Sequence, residues 1–372
     1  MLPRVFCALL LLYLAAPAQN DSLAALRATL ATLHQHRSEN ANTLGARPEL
    51  TVAKHQLRDW FERRLASLGA TPDEDASNRA FQEALASLFC PDGCVFSALG
   101  FIDTVRLRHT GEFLVIRTSV GIRCGYDDSA YVYQWIGTTW QRIFETEQDV
   151  YTKTGYRPQT IYDVQISPPD ANGNRFALTL GARSSCADAF QPMYYRIWAL
   201  GKALGARPSK PRLLLDGQEI IFAGDYPPVK GTLSADDMRI EFTAGGTGYG
   251  LSHQAVRHFE VLGDSVKQVD PIAPTPRDFV EEWLAAPWKQ SVARSESPSL
   301  ESPSLETWHR KLHRDDGMGD FPDPPVQCSS DRELWQIGIR LHGVSTETFY
   351  LVRWRQPDRF TMTDIAEHPL CK

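Results

Sequence analysis

The sequence has no excess of basic charge. Its 372 residues carry 39 Lys and Arg against 45 Asp and Glu, a formal net charge of −6, so the electrostatic footprint of a nucleic-acid binder is missing. It has only one apolar run of note, at its start, which excludes a polytopic helical membrane protein. There is no G-x-S-x-G elbow, no P-loop, no H-E-x-x-H and no dinucleotide fingerprint, which sets aside the enzyme classes built on those motifs. Cysteine is sparse, with seven in the chain. What the chain does have, 42% hydrophobic and 23% charged residues, is the make-up of a folded protein and not of a disordered one. The length suits about two domains, or one larger all-β domain with additions.

The start reads as an export signal. Arg4 precedes an apolar stretch from Val5 to Ala16, and Ala16-Pro17-Ala18 supplies the small-x-small cleavage pattern. The apolar stretch is shorter than the roughly 20 residues a membrane-spanning helix needs. Residues 1–18 are therefore expected to be a signal peptide and the mature chain to begin at Gln19. That places the protein outside the cytoplasm, secreted or periplasmic, with no membrane span after cleavage.

Cys7 leaves with the leader, and six cysteines remain: Cys90, Cys94, Cys124, Cys186, Cys328 and Cys371. An even number in an exported chain points to disulfides. Cys90 and Cys94 flank Pro91-Asp92-Gly93, a tight-turn sequence that brings two sulfurs together. The other pairings expected are Cys124–Cys186 and Cys328–Cys371, for reasons that rest on the repeat described below.

Residues 19–94 read as a helical region. Leu23, Leu26, Leu30 and Leu33 recur at three- and four-residue spacing, as do Leu50, Leu57, Trp60, Phe61 and Leu65, then Phe81, Leu85 and Leu88. After Cys94 the period changes to two, in short β-branched and aromatic runs such as Phe113–Val120 and Tyr131–Ile136. These runs repeat at 62 residues: Leu114, Phe176 and Met238 align, and so do Ile116, Leu178 and Ile240, and Val132, Tyr194 and Val256. A fourth copy follows at a shift of 95, pairing Ile240 with Trp335 and Val256 with Leu351. The fold expected is mainly β over 95–372, about four antiparallel units in a β-propeller-like repeat, with a β-sandwich as the alternative. An insertion at about 276–325 interrupts it. That insertion combines a short helix over Pro276–Trp288 with a duplicated Glu-Ser-Pro-Ser-Leu stretch, at 296–300 and 301–305, that reads as an exposed linker. In this frame Cys124 and Cys186 occupy equivalent positions of adjacent units, and Cys328 and Cys371 close the last unit on itself.

Candidate chemistry is thin. Asp127 and Asp128 follow Cys124, Asp188 follows Cys186, and His253 follows the third copy's glycine run at 245–250. Gathered at one end of a ring of repeats, these four would offer paired carboxylates for general acid–base work on a glycosidic bond; otherwise they form a polar binding rim. His309 and His313 share a helix face at zinc-pair spacing, but Arg310, Lys311 and Arg314 crowd them with like charge, so a solvated helix end is preferred and no metal is assigned. Asp170 to Asn174 has the oxygens of a calcium loop without its later bidentate acid, and a plain turn accounts for it. No cofactor is assigned. The function read from the sequence is an exported, disulfide-stabilised binding or scaffolding protein whose partner is a protein or a glycan, not an evident enzyme. The alternative is a secreted glycan-acting hydrolase.

Overall fold

The computed structural model describes residues 23–36, 39, 47–89, 101–122, 125–147, 159–183, 190–202, 210–222, 228–245, 252–296, 303–314, 319–320, 322–341, 346–355 and 359–371. Residues 1–18, expected to be a leader, Cys90, Cys94, Cys124, Cys186, Asp188, the glycine run beyond Gly245 and the first copy of the Ser/Pro duplication beyond Glu296 lie outside the described residues. The chain is mainly β, built of several antiparallel sheets with helices. By its contacts it divides into two units: Met1–Val164 with Gly181–Asp188 and Leu200–Arg212, and Gln165–Leu180 with Ala189–Ala199 and Leu213–Lys372.

In the first unit, helices and sheet share one core. Helix α1 covers 23–35, α2 covers Pro48–Leu65 and α3 covers Glu74–Leu85. Pro48 opens α2, where its missing N–H is no loss. Asp73 caps α3 by accepting from the Ala76 N–H at 2.9 Å. The sheet is a meander of β1 (Ile102–Thr110), β2 (Phe113–Ile122), β3 (Gly125–Ile136) and β4 (Thr139–Glu145) in that order. Gly111 and Gly137, at φ +60° and +65°, take the left-handed backbone of its two outer turns, which lets the strands reverse within two residues. Leu26, Leu57, Trp60, Phe61 and Phe81 from the helices pack with Val105, Ile116, Tyr131 and Tyr133 from the strands. The helices expected as a region of their own over 19–94 thus share one contact unit with the first meander. An amphipathic helix must bury its apolar stripe against something, and here the first meander supplies the surface.

The strands β5 (Gln159–Ile166), β6 (Asn174–Arg183), β7 (Phe190–Lys202), β8 (Arg212–Phe222), β10 (Asp237–Ala244), β11 (His253–Leu262) and β12 (Ser265–Val269) are ordered β12-β11-β10-β8-β7-β6-β5, with β9 (Val229–Leu233) beside β10. A third sheet orders β13 (Gly319–Asp320), β15 (Leu334–Leu341), β16 (Glu347–Arg355) and β17 (Arg359–Ala366), with β14 (Val326–Gln327) also on β15. The 62-residue register falls on matching strands: Leu114, Phe176 and Met238 occupy β2, β6 and β10, all fully buried. The fourth copy's Trp335 and Leu351 fall on β15 and β16. The repeat does not produce four equal sheets. The strands of the second and third copies join through β8 and β10 at Ala244 and Ile221, making one eight-stranded sheet. No closed barrel or propeller is formed among the described residues.

The insertion helices, α4 (Pro276–Ala285), α5 (Trp288–Val292) and α6 (Pro303–Arg314), cover the last sheet. Phe279, Val280, Trp283 and Leu284 of α4 pack with Ile337, Ile339, Tyr350, Val352 and Phe360. Leu305 joins the same core, so the second copy of the Ser/Pro duplication ends in a buried residue of a helix and not in an exposed linker. Pro303 starts a helix and the leucine two residues on falls on its buried face.

Cys328 and Cys371, 43 residues apart, are disulfide-bonded with their Cα atoms 5.0 Å apart. The bond ties Cys371 to the residue that follows β14, and the Gln336 side chain of β15 accepts the Cys371 N–H at 2.9 Å. Converting both cysteines to serine is expected to destabilise the second unit by about 2–4 kcal/mol, because the unfolded chain regains the freedom of that loop. A urea melt with and without reductant reads this: the wild type should lose more midpoint on reduction than the double variant does.

Candidate functional site

Two groups of buried charge stand out, one in each unit. In the first unit, α2 presents Lys54 on its buried stripe, one turn from Leu50 and three residues before Leu57. Its ammonium meets the Asp127 carboxylate of β3 at 3.0 Å, and neither side chain is exposed. Further along, Glu147 accepts from the Tyr131 hydroxyl, pairs with Arg58 at 3.2 Å, and stands 2.7 Å from His55 Nε2. Burial pushes the Glu147 carboxyl above its usual range, against the pull of these partners.

Asp128 does not join Asp127. Neighbouring residues of a strand point to opposite faces, so Asp127 faces α2 while Asp128 faces away. Asp128 accepts from the Ser119 hydroxyl at 2.6 Å and from the Ile161 N–H at 2.8 Å. Burial raises its pKa from 3.8 to about 6, with Ser119, Ile161 and Arg117 opposing the rise. The convergence of Asp127 and Asp128 on one cleft is thus corrected by strand alternation. His253 belongs to the second unit, and Asp188 lies outside the described residues.

The raised pKa makes Asp128 a titrating group of the fold. A carboxyl that holds its proton more tightly when folded contributes stability that is fully present below 3.8 and is lost as pH rises through about 6. The span corresponds to about 3 kcal/mol. Asp128→Asn removes the charge while keeping an acceptor. It is expected to flatten the dependence of the urea midpoint between pH 4 and 6, and to raise that midpoint at pH 7.

In the second unit, β11 and α4 build the other group. His253, Ala255 and Arg257 alternate on one face of β11, so the imidazole and the guanidinium point the same way. α4 brings Glu281 and Glu282 to them, on a helix capped by Thr275 and opened by Pro276. His253 Nε2 is 2.9 Å from Glu282 and Nδ1 is 3.2 Å from Glu281. Burial alone would lower the His253 pKa, but the two carboxylates more than offset it and take it from 6.5 to about 9. The imidazole is therefore a cation at neutral pH. Arg257 pairs with Glu282 at 3.1 Å and with Glu219 of β8 at 2.6 Å. Burial works to raise the Glu282 carboxyl, yet Arg257 and His253 together hold it below its usual value. The Tyr195 hydroxyl lies 3.4 Å from Glu219, its ring seated where a side chain at Gly217 would stand.

A cavity of about 390 Å³ opens beside this network, with Glu219, His253, Arg257, Glu282, Ser291 and Arg294 among its walls. Ser291 is not an activated nucleophile. Its hydroxyl donates to the Trp283 carbonyl at 2.7 Å, and the nearby His309 Nε2, 3.1 Å away, also lies 3.0 Å from the Ala286 carbonyl. A carbonyl only accepts, so that nitrogen carries its proton and cannot act as a base. His309 is 2% exposed and edge-on to Trp283 at 5.0 Å. The solvated helix end expected for it is corrected: at its position the helix faces the core. The side chain of His313 lies outside the described residues. Among the described residues no group of three or more His, Cys, Asp or Glu is arranged to hold a metal ion. The Asp170 carboxylate is taken up by its own turn, accepting from the Asn172 and Asn174 N–H groups at 2.8 and 2.7 Å.

Of the candidate site residues among the described ones, His253 lines the cavity. Sequence reasoning misses Glu219, Arg257, Glu282 and Arg294. One signal is present: Glu281 and Glu282 sit between Val280 and Trp283, two apolar residues of a helical stripe, and acids so placed are buried only with partners.

No protein-family model matches this chain, and no curated protein matches it. Seven chains of solved structures do. One is a complex of BT0996 and RGII, at 8% identity over 73% of this protein and 88% of that one, with a TM-score of 0.25. Another is a xylan β-1,4-xylosidase from Bacillus halodurans C-125, at 8% identity over 71% of this protein and 57% of that one, with a TM-score of 0.18. At these scores neither likeness bears on the fold or the site. What the chain itself defines is a mainly β protein with a buried charge network at a cavity. Among the described residues no helix is long and apolar enough to cross a membrane, a statement that leaves strands out of account.

Proposed function

We propose that this chain is an exported binding protein and that its second unit takes a small polar ligand in the cavity beside His253 and Arg257. The observation that carries this reading is the internal pairing of the network. The acids that line the cavity are both bound to Arg257, and Glu282 to His253 as well. Groups held in this way are rigid and pre-organised, which favours recognition because little ordering remains to be done on binding. Glycoside hydrolysis asks instead for one carboxyl that keeps its proton until it donates it, whereas Glu282 is held ionised. The hydrolase alternative also loses its paired acids where Asp127 and Asp128 part to opposite faces of β3. Export is supported by the leader pattern of residues 1–18 and by the Cys328–Cys371 disulfide.

A library of small polar compounds and short oligosaccharides, screened by thermal shift and followed by calorimetry, tests the binding reading. A saturable ligand recovered unchanged is the expected result. Recovery of a cleaved product would move the protein to the hydrolases. N-terminal sequencing of the protein from its native host tests export: a mature start at Gln19 is expected, and an intact Met1 in a cytoplasmic fraction would overturn it.

A further inference from the structure

The cavity's charge pattern points further, to the class of ligand. Arg257 is fully engaged by two carboxylates, but Arg294 is not. Its nearest acid is Asp270 at 3.9 Å, and Asp270 is shared with Arg359 at 3.8 Å. Among the described residues the Arg294 guanidinium has no hydrogen-bond acceptor, although its side chain is only 23% exposed. A guanidinium presents five N–H donors in a planar fork, and leaving such donors half-buried and unmatched is unfavourable. Burial above all, and the neighbouring Arg257 charge, weigh against the Arg294 cation, with Asp270 and Glu282 opposing them in part. A bound anion would relieve both effects at once.

We infer that the cavity takes a small molecule with a single carboxylate, seated on the fork of Arg294. This inference rests on the binding reading above. A carboxylate matches the fork with two parallel hydrogen bonds. The single charge follows from the walls: Glu219 and Glu282 line the same cavity, and a dianionic head would meet their repulsion. Gln268 and Gln290, exposed at the rim, offer amides that donate and accept, which suits a hydroxylated tail.

Calorimetric titration of the full mature chain tests this with gluconate, its uncharged polyol counterpart sorbitol, and inorganic phosphate as probes. Gluconate is expected to bind saturably and sorbitol to bind at least tenfold more weakly, the worth of a charge-assisted pair of hydrogen bonds. Arg294→Gln should weaken gluconate about tenfold or more, while the thermal midpoint of the ligand-free protein holds or rises. Arg294→Lys, which keeps the charge and loses the fork, should fall between the two. Equal binding of gluconate and sorbitol would overturn the carboxylate assignment while leaving the binding reading intact. Tighter binding of phosphate than of gluconate would overturn the single-charge head. Failure of all three probes, together with a blank in the wider screen, would remove both readings.

Discussion

Lys54→Ala is expected to cost the first unit about 3–5 kcal/mol, the range for breaking a buried ion pair from one side. The reason is the position of Asp127: its carboxylate lies 3.0 Å from the ammonium, and both side chains are fully buried. Removing the cation takes the ammonium away from a fully buried carboxylate between α2 and β3, where water has little access to replace it. The measurement is a urea melt followed by tyrosine and tryptophan fluorescence, since Trp60, Tyr131 and Tyr133 share that core. The companion variant decides the cause. Lys54→Met combined with Asp127→Leu removes both charges and should recover most of the loss, because well-packed apolar replacements of a buried pair are often neutral or better. If the double variant is as unstable as the single one, the loss comes from packing of the lysine stem and not from the orphaned charge.

His253→Gln is the second large effect. The folded imidazole titrates at about 9 against 6.5, so the folded state binds its proton more tightly than the unfolded chain does. The contribution is fully present below 6.5 and is lost as pH rises through 9, with a span of about 3 kcal/mol. The wild type should therefore lose denaturation midpoint between pH 6.5 and 9, and His253→Gln should begin lower at pH 6 and stay nearly flat over that window. Other charges face the same groups and set a limit on the loss. Arg257 remains 3.1 Å from Glu282, and Arg277 remains 3.6 Å from Glu281. A wild-type profile that is flat from pH 6.5 to 9 would mean that the histidine is neutral in the folded protein, contrary to its two-carboxylate setting.

The two pH-dependent groups act in separate windows and can be read in one experiment. Asp128 withdraws stability as pH rises from about 4 to 6, and His253 does so from about 6.5 to 9. Both slope the same way, for different reasons: one is a carboxyl that burial keeps protonated, the other an imidazole that carboxylates keep protonated. The single variants Asp128→Asn and His253→Gln should each remove one window and leave the other.

Much of the fold is legible in the sequence because local periodicity reports a local fact, namely which face of an element meets the core. The leucines of α1 and the Leu50-to-Leu65 stripe of α2 lie where their spacing puts them, and the runs read as β2 and β3 are strands, although both are buried on both faces and not on one. The 62-residue register finds the matching strands β2, β6 and β10, and the turn at Asp170 to Asn174 is the turn its residues describe. Spacing alone also places Lys54 on a buried stripe. It does not say that Asp127, 73 residues away, would be waiting there.

What the tertiary structure decided is everything that depends on which surfaces meet. Periodicity sets the helices apart as a region, but an apolar stripe is covered by whichever sheet lies against it, and the first meander does so. Strands β5 to β12 form one sheet because β8 reaches β10 at Ile221 and Ala244, a pairing that neither strand encodes alone. The cavity is of the same kind. His253, Arg257, Glu219 and Glu282 come from β11, β8 and α4, and only His253 stands out in the sequence. Period and composition determine which side chains are buried; the free energy of a buried charge depends on the few ångströms to its partner, and those distances exist only once the chain has folded.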